Sequence, residues 1–364
     1  MPFILPMLPG KTREWLPPEQ VDEHKLVRLD ACTCGASLRC ARINVPVVPP
    51  EATTCTGPNL TALAATLVGE YHLSRDAAAD LLGSVLNMPI CAATVQNCCE
   101  QVSDALAAAT KEVDAILPLS SVIHLDETSW KQGKVLHWLW IAVGNAITSF
   151  AINRRRGHQQ LAEWFPNGFA GMVNCDRWRP YERFARRQLC WSHLERDLQA
   201  IIDAAGKGVN TATNLLAASG SMFTTWRKFK DGFITRVELQ RDTRSYRERF
   251  KIFCTWGANQ DHDRRWRALG RDLLRQWEAV FLFLDVEGVE PTNNTAEQGL
   301  RAGVIWRRTT QGTRSEAGTT FVQRIMTAQA NCKRQGRSVL LFLSATLMAH
   351  RQQLPTPSLV PAPT

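Results

Sequence analysis

Hydrophobic positions change their spacing along this chain, and the changes divide it. Residues 1–57 are rich in Pro, Cys and Thr and show no sustained period. From Leu60 to about Leu117 the chain is alanine-rich with helical spacing, in three pieces: LTALAATLVGEYHL, SRDAAADLLGSVLN and a longer run from about Ala92. Ser74 and Thr94 stand where N-caps are expected. The short NMPIC join between the second and third pieces permits a helix-turn-helix, and a plain helical scaffold fits the pattern equally well.

The period then shortens. SSVIHLDETSW, KVLHWLWIAV and AITSFAINRR, separated by the polar KQGK turn and by GN, predict three strands in an antiparallel meander. HQQLAEWF predicts a short helix, and GFAGMVNCD a fourth strand. A right-handed crossover sets that fourth strand beside the first and parallel to it. From Arg186 to about Val289 the pattern is helical with charged faces and scattered Trp residues, an all-α insertion. Helices return after GVEPTNN, through Ala330 and again from Arg337, and the Pro-rich tail LPTPSLVPAPT is expected to be disordered.

The predicted fold class is therefore mixed α/β: a sheet-bearing core with an all-α insertion, preceded by a small Cys-containing segment and a helical domain. The expected segments are 1–57, 58–118 (helical, a possible DNA-binding helix-turn-helix), 119–186 (core, first part), 187–289 (insertion), 290–353 (core, second part) and 354–364 (tail).

Composition narrows the function only a little. With 43 Lys+Arg against 34 Asp+Glu the net charge is +9, compatible with a polyanionic partner such as DNA. Eleven cysteines, an odd count, and no charged-then-apolar leader fit a reducing cytoplasm with mostly free thiols. The apolar run VLLFLSATLMA is too short for a bilayer, which takes about 20 residues. No membrane role is expected.

Three acids stand out by position. Asp126 ends the first predicted strand and Asp176 the fourth, so parallel neighbours bring both carboxylates to one sheet edge. Glu297 lies in PTNNTAEQGLR, at the third position of a helix if Asn294 is its N-cap, where a capping-box role competes with chemistry. Oxygen-only sites suit Mg²⁺ or Mn²⁺. Two such ions about 3.5–4 Å apart can activate an attacking oxygen and stabilise a leaving one in phosphoryl transfer. Spacing alone does not choose among the acids, and Glu127 competes directly with Asp126.

In order along the chain stand EHKLVRLDACTCG, HLDETSW, HWLWIAV, DRWRPY, RQLCWSHLERD, GVEPTNNTAEQGLR, VIWRRTTQGTRSEAG and GRSVLLFL. On these blocks the chain resembles bacterial transposases of the insertion-sequence-sixty-six group, from about Glu23 to about Pro361. The resemblance implies an RNase H-like core with an Asp-Asp-Glu triad at Asp126, Asp176 and Glu297, selecting Asp126 over Glu127. It implies DNA strand cleavage and strand transfer with Mg²⁺, acting on terminal inverted repeats and target DNA. Synapsis of two ends implies a homodimer or higher oligomer, with accessory proteins of the element as further partners, in the cytoplasm at the nucleoid.

Cys190 and His193, in CWSH, match a family block. His193 is expected to position an active-site group or a phosphate, and Cys190 to pack. Cys32-Thr33-Cys34-Gly35 is similar to the family's zinc-finger-like C-x-x-C-G with one residue missing. Cys32, Cys34 and Cys40 are the candidate zinc ligands, but their spacing fits no standard closed site, and a metal-free remnant is expected. Arg301, Arg307, Arg308 and Arg314 flank the third acid as candidate phosphate contacts. Two alternatives remain: a metal nuclease of the same fold without strand transfer, and a catalytically idle DNA-binding derivative, since the family usually has a longer N-terminal region.

Overall fold

The structure is a computed structural model in which residues 56–260 and 263–361 are described. Cys32, Cys34 and Cys40, and the zinc question with them, lie outside the described residues. By their contacts these residues fall into two units, one of 56–105 with 339–355 and one of 106–338 with 356–361.

The first unit opens with α1 (Pro58–Gly69), whose leading proline is pre-set for a helical first turn. The second helix, α2 (Arg75–Leu86), is capped as expected: Ser74 Oγ accepts the Ala77 N–H at 3.1 Å. α3 (Ala92–Ile116) starts two residues before Thr94, so Thr94 sits inside its first turn rather than capping it.

In the second unit the period-two segments become β1 (Val122–Gln132), β2 (Val135–Val143) and β3 (Thr148–Asn153), an antiparallel meander. The first turn needs a left-handed residue, and Gly133 supplies it with φ 59°. α4 (His158–Trp164) carries the chain over to β4 (Met172–Cys175), which lies parallel to β1 as the crossover predicts. β5 (Arg187–Leu189) adds in parallel beside β4, giving the order β3-β2-β1-β4-β5 in a mixed five-stranded sheet.

Two expectations are corrected here. β1 does not end at Asp126 but runs on to Gln132, because β2 pairs with it along its whole length, down to Gln132 opposite Val135. Its other neighbour is short, so past His124 no β4 partner covers it. The all-α reading from Arg186 is also wrong at its start, because β5 is a strand. Three residues are too few to display a period of two.

After β5 come α5 (Trp191–Asp203), α6 (Val209–Lys230), α7 (Arg236–Ala258), α8 (Arg264–Arg275) and the single turns α9 (Trp277–Val280) and α10 (Leu282–Asp285). Most of its tryptophans are core. Trp191, Trp226 and Trp266 are buried with Phe250, Phe281 and Phe283, while Trp256 is exposed. This core continues into the sheet through Val122, Met172 and Leu189, so helices α5 to α10 and the sheet share one apolar interior.

α11 (Asn294–Thr310) and α12 (Glu316–Arg334) cover the sheet. α11 comes very close. A Cβ at Gly299 would stand 2.3 Å from Ile141 Cδ1, and one at Gly303 2.2 Å from Leu139 Cδ2. Glycine at both positions lets the helix backbone rest directly on β2.

α12 closes the β3 edge with side chains one helical turn apart. Gln323 Oε1, Thr327 Oγ1 and Asn331 Oδ1 accept the N–H groups of Ile152, Phe150 and Thr148, each at 3.0 Å. Helix positions i, i+4 and i+8 thus match alternate residues of an extended strand, because 1.5 Å and about 3.3 Å rises bring both repeats to about 6–7 Å. Asn331 also donates to the Thr148 carbonyl at 2.7 Å. The edge is sealed against pairing with another chain.

The last helix, α13 (Val339–Arg351), packs on α1 within the first unit rather than with the core, where the sequence division had left it. Both helices are apolar on most sides, and each supplies the surface the other must bury. The tail expectation is corrected too. Leu359 is fully buried, and the Ser358 and Leu359 carbonyls accept from Arg337 and Gln335 at 2.8 and 2.6 Å. One apolar side chain and these bonds order the tail to residue 361 despite its prolines.

Asn331→Ala strips a buried acceptor and donor from Thr148 and should lower the unfolding free energy by about 1–3 kcal/mol, measured by urea denaturation. An unchanged midpoint would mean that Asn331 does not seal the edge.

Candidate functional site

The site is organised by Asn293, in the turn that leads into the helix of Glu297. Asn293, buried in the PTNN turn, donates its amide to the Leu125 carbonyl of β1 at 2.7 Å, and its Oδ1 meets His124 Nδ1 at 3.2 Å. Burial pushes the His124 pKa down, leaving a neutral ring that donates from Nδ1 to the amide oxygen. The Asn293 backbone N–H donates to Cys190 Sγ at 3.2 Å, and its carbonyl accepts the N–H groups of Ala296 and Glu297, both at 3.1 Å. One residue therefore grips β1, the start of α5 and the first turn of α11. Asn174 of β4 fastens the same turn, donating to the Glu290 and Thr292 carbonyls at 2.7 and 3.1 Å.

This arrangement corrects the capping expectation. The N-cap is Asn293, not Asn294, and its side chain makes no capping bond because it is committed to β1. Glu297 moves one place into the helix, and a capping box is no longer available to it.

Strand register carries Asp126 and Asp176 to the same end of the parallel pair. Val122 pairs with Met172 and His124 with Asn174, so each aspartate lies four residues beyond a paired position. Asp176 follows the last residue of β4, and its Oδ1 accepts the Trp178 N–H at 2.8 Å, fixing the turn. The next residue, Arg177, reaches Asp197 at 2.6 Å and Asp272 at 2.7 Å, binding that turn to α5 and α8. Glu297 arrives from α11, which packs on β1 and β2.

The three carboxylates feel one another at Asp126. Burial raises its pKa first, the adjoining Glu127 charge adds to this, and Asp176 and Glu297 push the same way. The Glu127 N–H that Asp126 accepts at 2.9 Å opposes them, and the result is about 7. A carboxyl held there is first of all a buried one, and the neighbouring negative charges add to the shift.

Glu127 is occupied otherwise. Its carboxylate is nearly buried, takes the Tyr181 hydroxyl on one oxygen, and is bonded by Arg156 Nε at 2.7 Å on the other. Arg156 is itself stacked between Trp138 and Trp178, 4.8 and 4.4 Å from their ring centres. Successive β1 side chains point to opposite faces, so Glu127 serves the aromatic side while Asp126 faces α11. Arg156 and Tyr181 were absent from the sequence reading; no spacing signal reveals such partners.

Cys190 and His193 come to Glu297. Cys190 is the N-cap of α5 and His193 lies in its first turn. Glu297 Oε1 is 3.4 Å from His193 Nε2 and 3.8 Å from Cys190 Sγ. Burial pushes the Cys190 thiol up.

The basic residues separate. Arg307 is used internally: its guanidinium bonds the Ser129 carbonyl and hydroxyl and reaches Thr128 Oγ1 at 3.3 Å, riveting α11 to β1. Arg301, Arg308 and Arg314 are exposed and free of that task.

A basic chain with carboxylates gathered on a mixed α/β sheet has the makings of a DNA-acting enzyme. Compared with protein families, residues 53–320 match the Transposase IS66 family, and the chain belongs to it. Membership supports a transposase function, and with it DNA binding and divalent-metal use. A search of curated proteins finds no match. No helix among the described residues is long and apolar enough to cross a membrane.

For Asp126 the folded pKa lies above the ordinary carboxylate value, so its ionisation costs the folded state stability as pH rises. In metal-free protein wild type should lose stability between pH 3.8 and about 7 relative to Asp126→Asn. The variant's melting temperature is then higher at pH 8 and equal at low pH. Parallel melting curves across that range would contradict the crowding.

Proposed function

We propose that this protein is the DNA transposase of an insertion sequence, cleaving DNA at the element's ends and joining the freed 3′-hydroxyl to target DNA. In this reading the sheet with α11 and α12 is an RNase H-like core, α5 to α10 are its insertion, and Asp126, Asp176 and Glu297 are the catalytic triad. The helices of residues 58–118 are its DNA-binding region. The observation that carries the proposal is the strand register: β1 and β4 are parallel neighbours that carry Asp126 and Asp176 to one sheet edge, and the charges of Asp176 and Glu297 both bear on Asp126.

The donor set fits the implied metal. Three carboxylates offer only oxygen, and their unneutralised charge is what a hard divalent cation offsets. Mg²⁺ or Mn²⁺, as two ions held by Asp126, Asp176 and Glu297, would supply an activated attacking oxygen and charge stabilisation at the phosphate.

The chain's own residues do the positioning. Asn293 keeps the Asp126 strand and the Glu297 helix at fixed spacing, and the Trp178 N–H holds Asp176 in one rotamer. His193 orients Glu297 across their 3.4 Å contact. Exposed Arg301, Arg308 and Arg314 neutralise DNA phosphates near the third acid, which makes binding steeply dependent on salt. Two ends must be held together, so the active form is a homodimer or larger assembly at the nucleoid, aided by accessory proteins of the element.

Purified protein with Mg²⁺ and DNA bearing the element's inverted repeats should yield strand-transfer products on a sequencing gel. Asp126→Ala, Asp176→Ala and Glu297→Ala should each reduce them to background while gel-shift binding of the same DNA persists. Nicked products alone would favour a nuclease, and full activity in any one variant would remove that residue from the triad.

A further inference from the structure

Glu297 has two sets of neighbours. On one side are the carboxylates; on the other are a thiol and an imidazole. The ligand atoms of Cys190, His193 and Glu297 all lie within 4.8 Å of one another. Bond lengths of about 2.0–2.1 Å to nitrogen or oxygen and about 2.3 Å to sulfur put the edges of a tetrahedral metal site at about 3.4 Å (N to O) and about 3.5 Å (S to O). The observed His193–Glu297 separation is 3.4 Å and the Cys190–Glu297 separation 3.8 Å. The first matches, and the second closes by a small side-chain rotation.

The frame is rigid. Cys190 and His193 belong to the start of α5 and Glu297 to the first turn of α11. Those two starts are tied by the Trp191 N–H to Pro291 carbonyl bond at 2.9 Å and by the Asn293 N–H on Cys190 Sγ at 3.2 Å. A donor on the sulfur is a common partner of a ligating thiolate and leaves its metal-facing lone pairs open. Access exists as well, because the His193 and Glu297 side chains are 32 % and 37 % exposed. Three protein ligands with one corner open to solvent is the pattern of a non-structural zinc site.

We infer that Cys190, His193 and Glu297 form a second metal site, selective for thiophilic cations such as Zn²⁺, which shares Glu297 with the three-carboxylate cluster. Sulfur and imidazole donors discriminate against Mg²⁺ and favour Zn²⁺ or Co²⁺. Binding converts the thiol to thiolate and releases its proton to solvent, so affinity rises with pH. Because one carboxylate serves both sites, Zn²⁺ withdraws Glu297 from Asp126 and Asp176. That last consequence, inhibition, rests on the triad reading; the binding itself does not.

The test uses the full metal-free chain titrated with Co²⁺ alone. A near-ultraviolet thiolate-to-cobalt charge-transfer band should grow, with Zn²⁺ bleaching it and millimolar Mg²⁺ leaving it intact. Cysteines of the N-terminal segment set a background, so the readout is the difference from Cys190→Ser, which should lack one cobalt equivalent. His193→Ala should weaken the Cys190-dependent band by about 10-fold or more, and circular dichroism checks that both variants fold. Identical cobalt spectra and stoichiometry in wild type and Cys190→Ser would overturn the site. Zn²⁺ should also suppress Mg²⁺-supported strand transfer. A Cys190-dependent cobalt band in a protein that performs no strand transfer sinks the transposase reading and upholds this site; strand transfer without the band does the reverse.

Discussion

A single buried amide holds the functional face together. Asn293 spends its side chain on the backbone of β1, its N–H on a sulfur at the start of α5 and its carbonyl on the first turn of α11. Three segments far apart in sequence are thereby held at hydrogen-bond distance. A buried asparagine satisfied on both ends costs little in such a place, whereas an apolar residue would leave the Leu125 carbonyl without its donor. Glu297 can be aimed because the turn before it has no freedom left.

Close packing completes what the amide begins. Gly299 and Gly303 bring α11 onto β2, Arg307 rivets its far end to Ser129, and α12 seals the β3 edge. The helix carrying Glu297 is thus fixed at both ends and along its length. On the opposite face, Arg156 and Tyr181 engage both oxygens of the Glu127 carboxylate. Two adjacent acids, alternating across one strand, acquire different environments for that reason alone.

Much of this was legible in short-range pattern. Period-two runs and their polar turns predicted β1 to β4, and the crossover rule predicted the β1–β4 neighbourhood that brings Asp126 toward Asp176. The misses share a cause. β5 is too short to display a period, and the extension of β1 depends on its partner. Leu359 is ordered by Gln335, and α13 by α1. Likewise the choice between Asp126 and Glu127 rests on partners 29 and 54 residues away. Local pattern cannot encode such partners, and in the sequence only the family resemblance favours Asp126 where spacing does not choose.

The base of the α5–α10 helices has a further consequence for how the molecule is made. Trp191 and Pro291 are bonded across a hundred residues, and Asn293 reaches back 168 residues to Leu125. Such contacts must await closure of a long loop, and they form late. A chain emerging from the ribosome therefore has β1 and β4 well before the turn that ties β1 to α5 and α11.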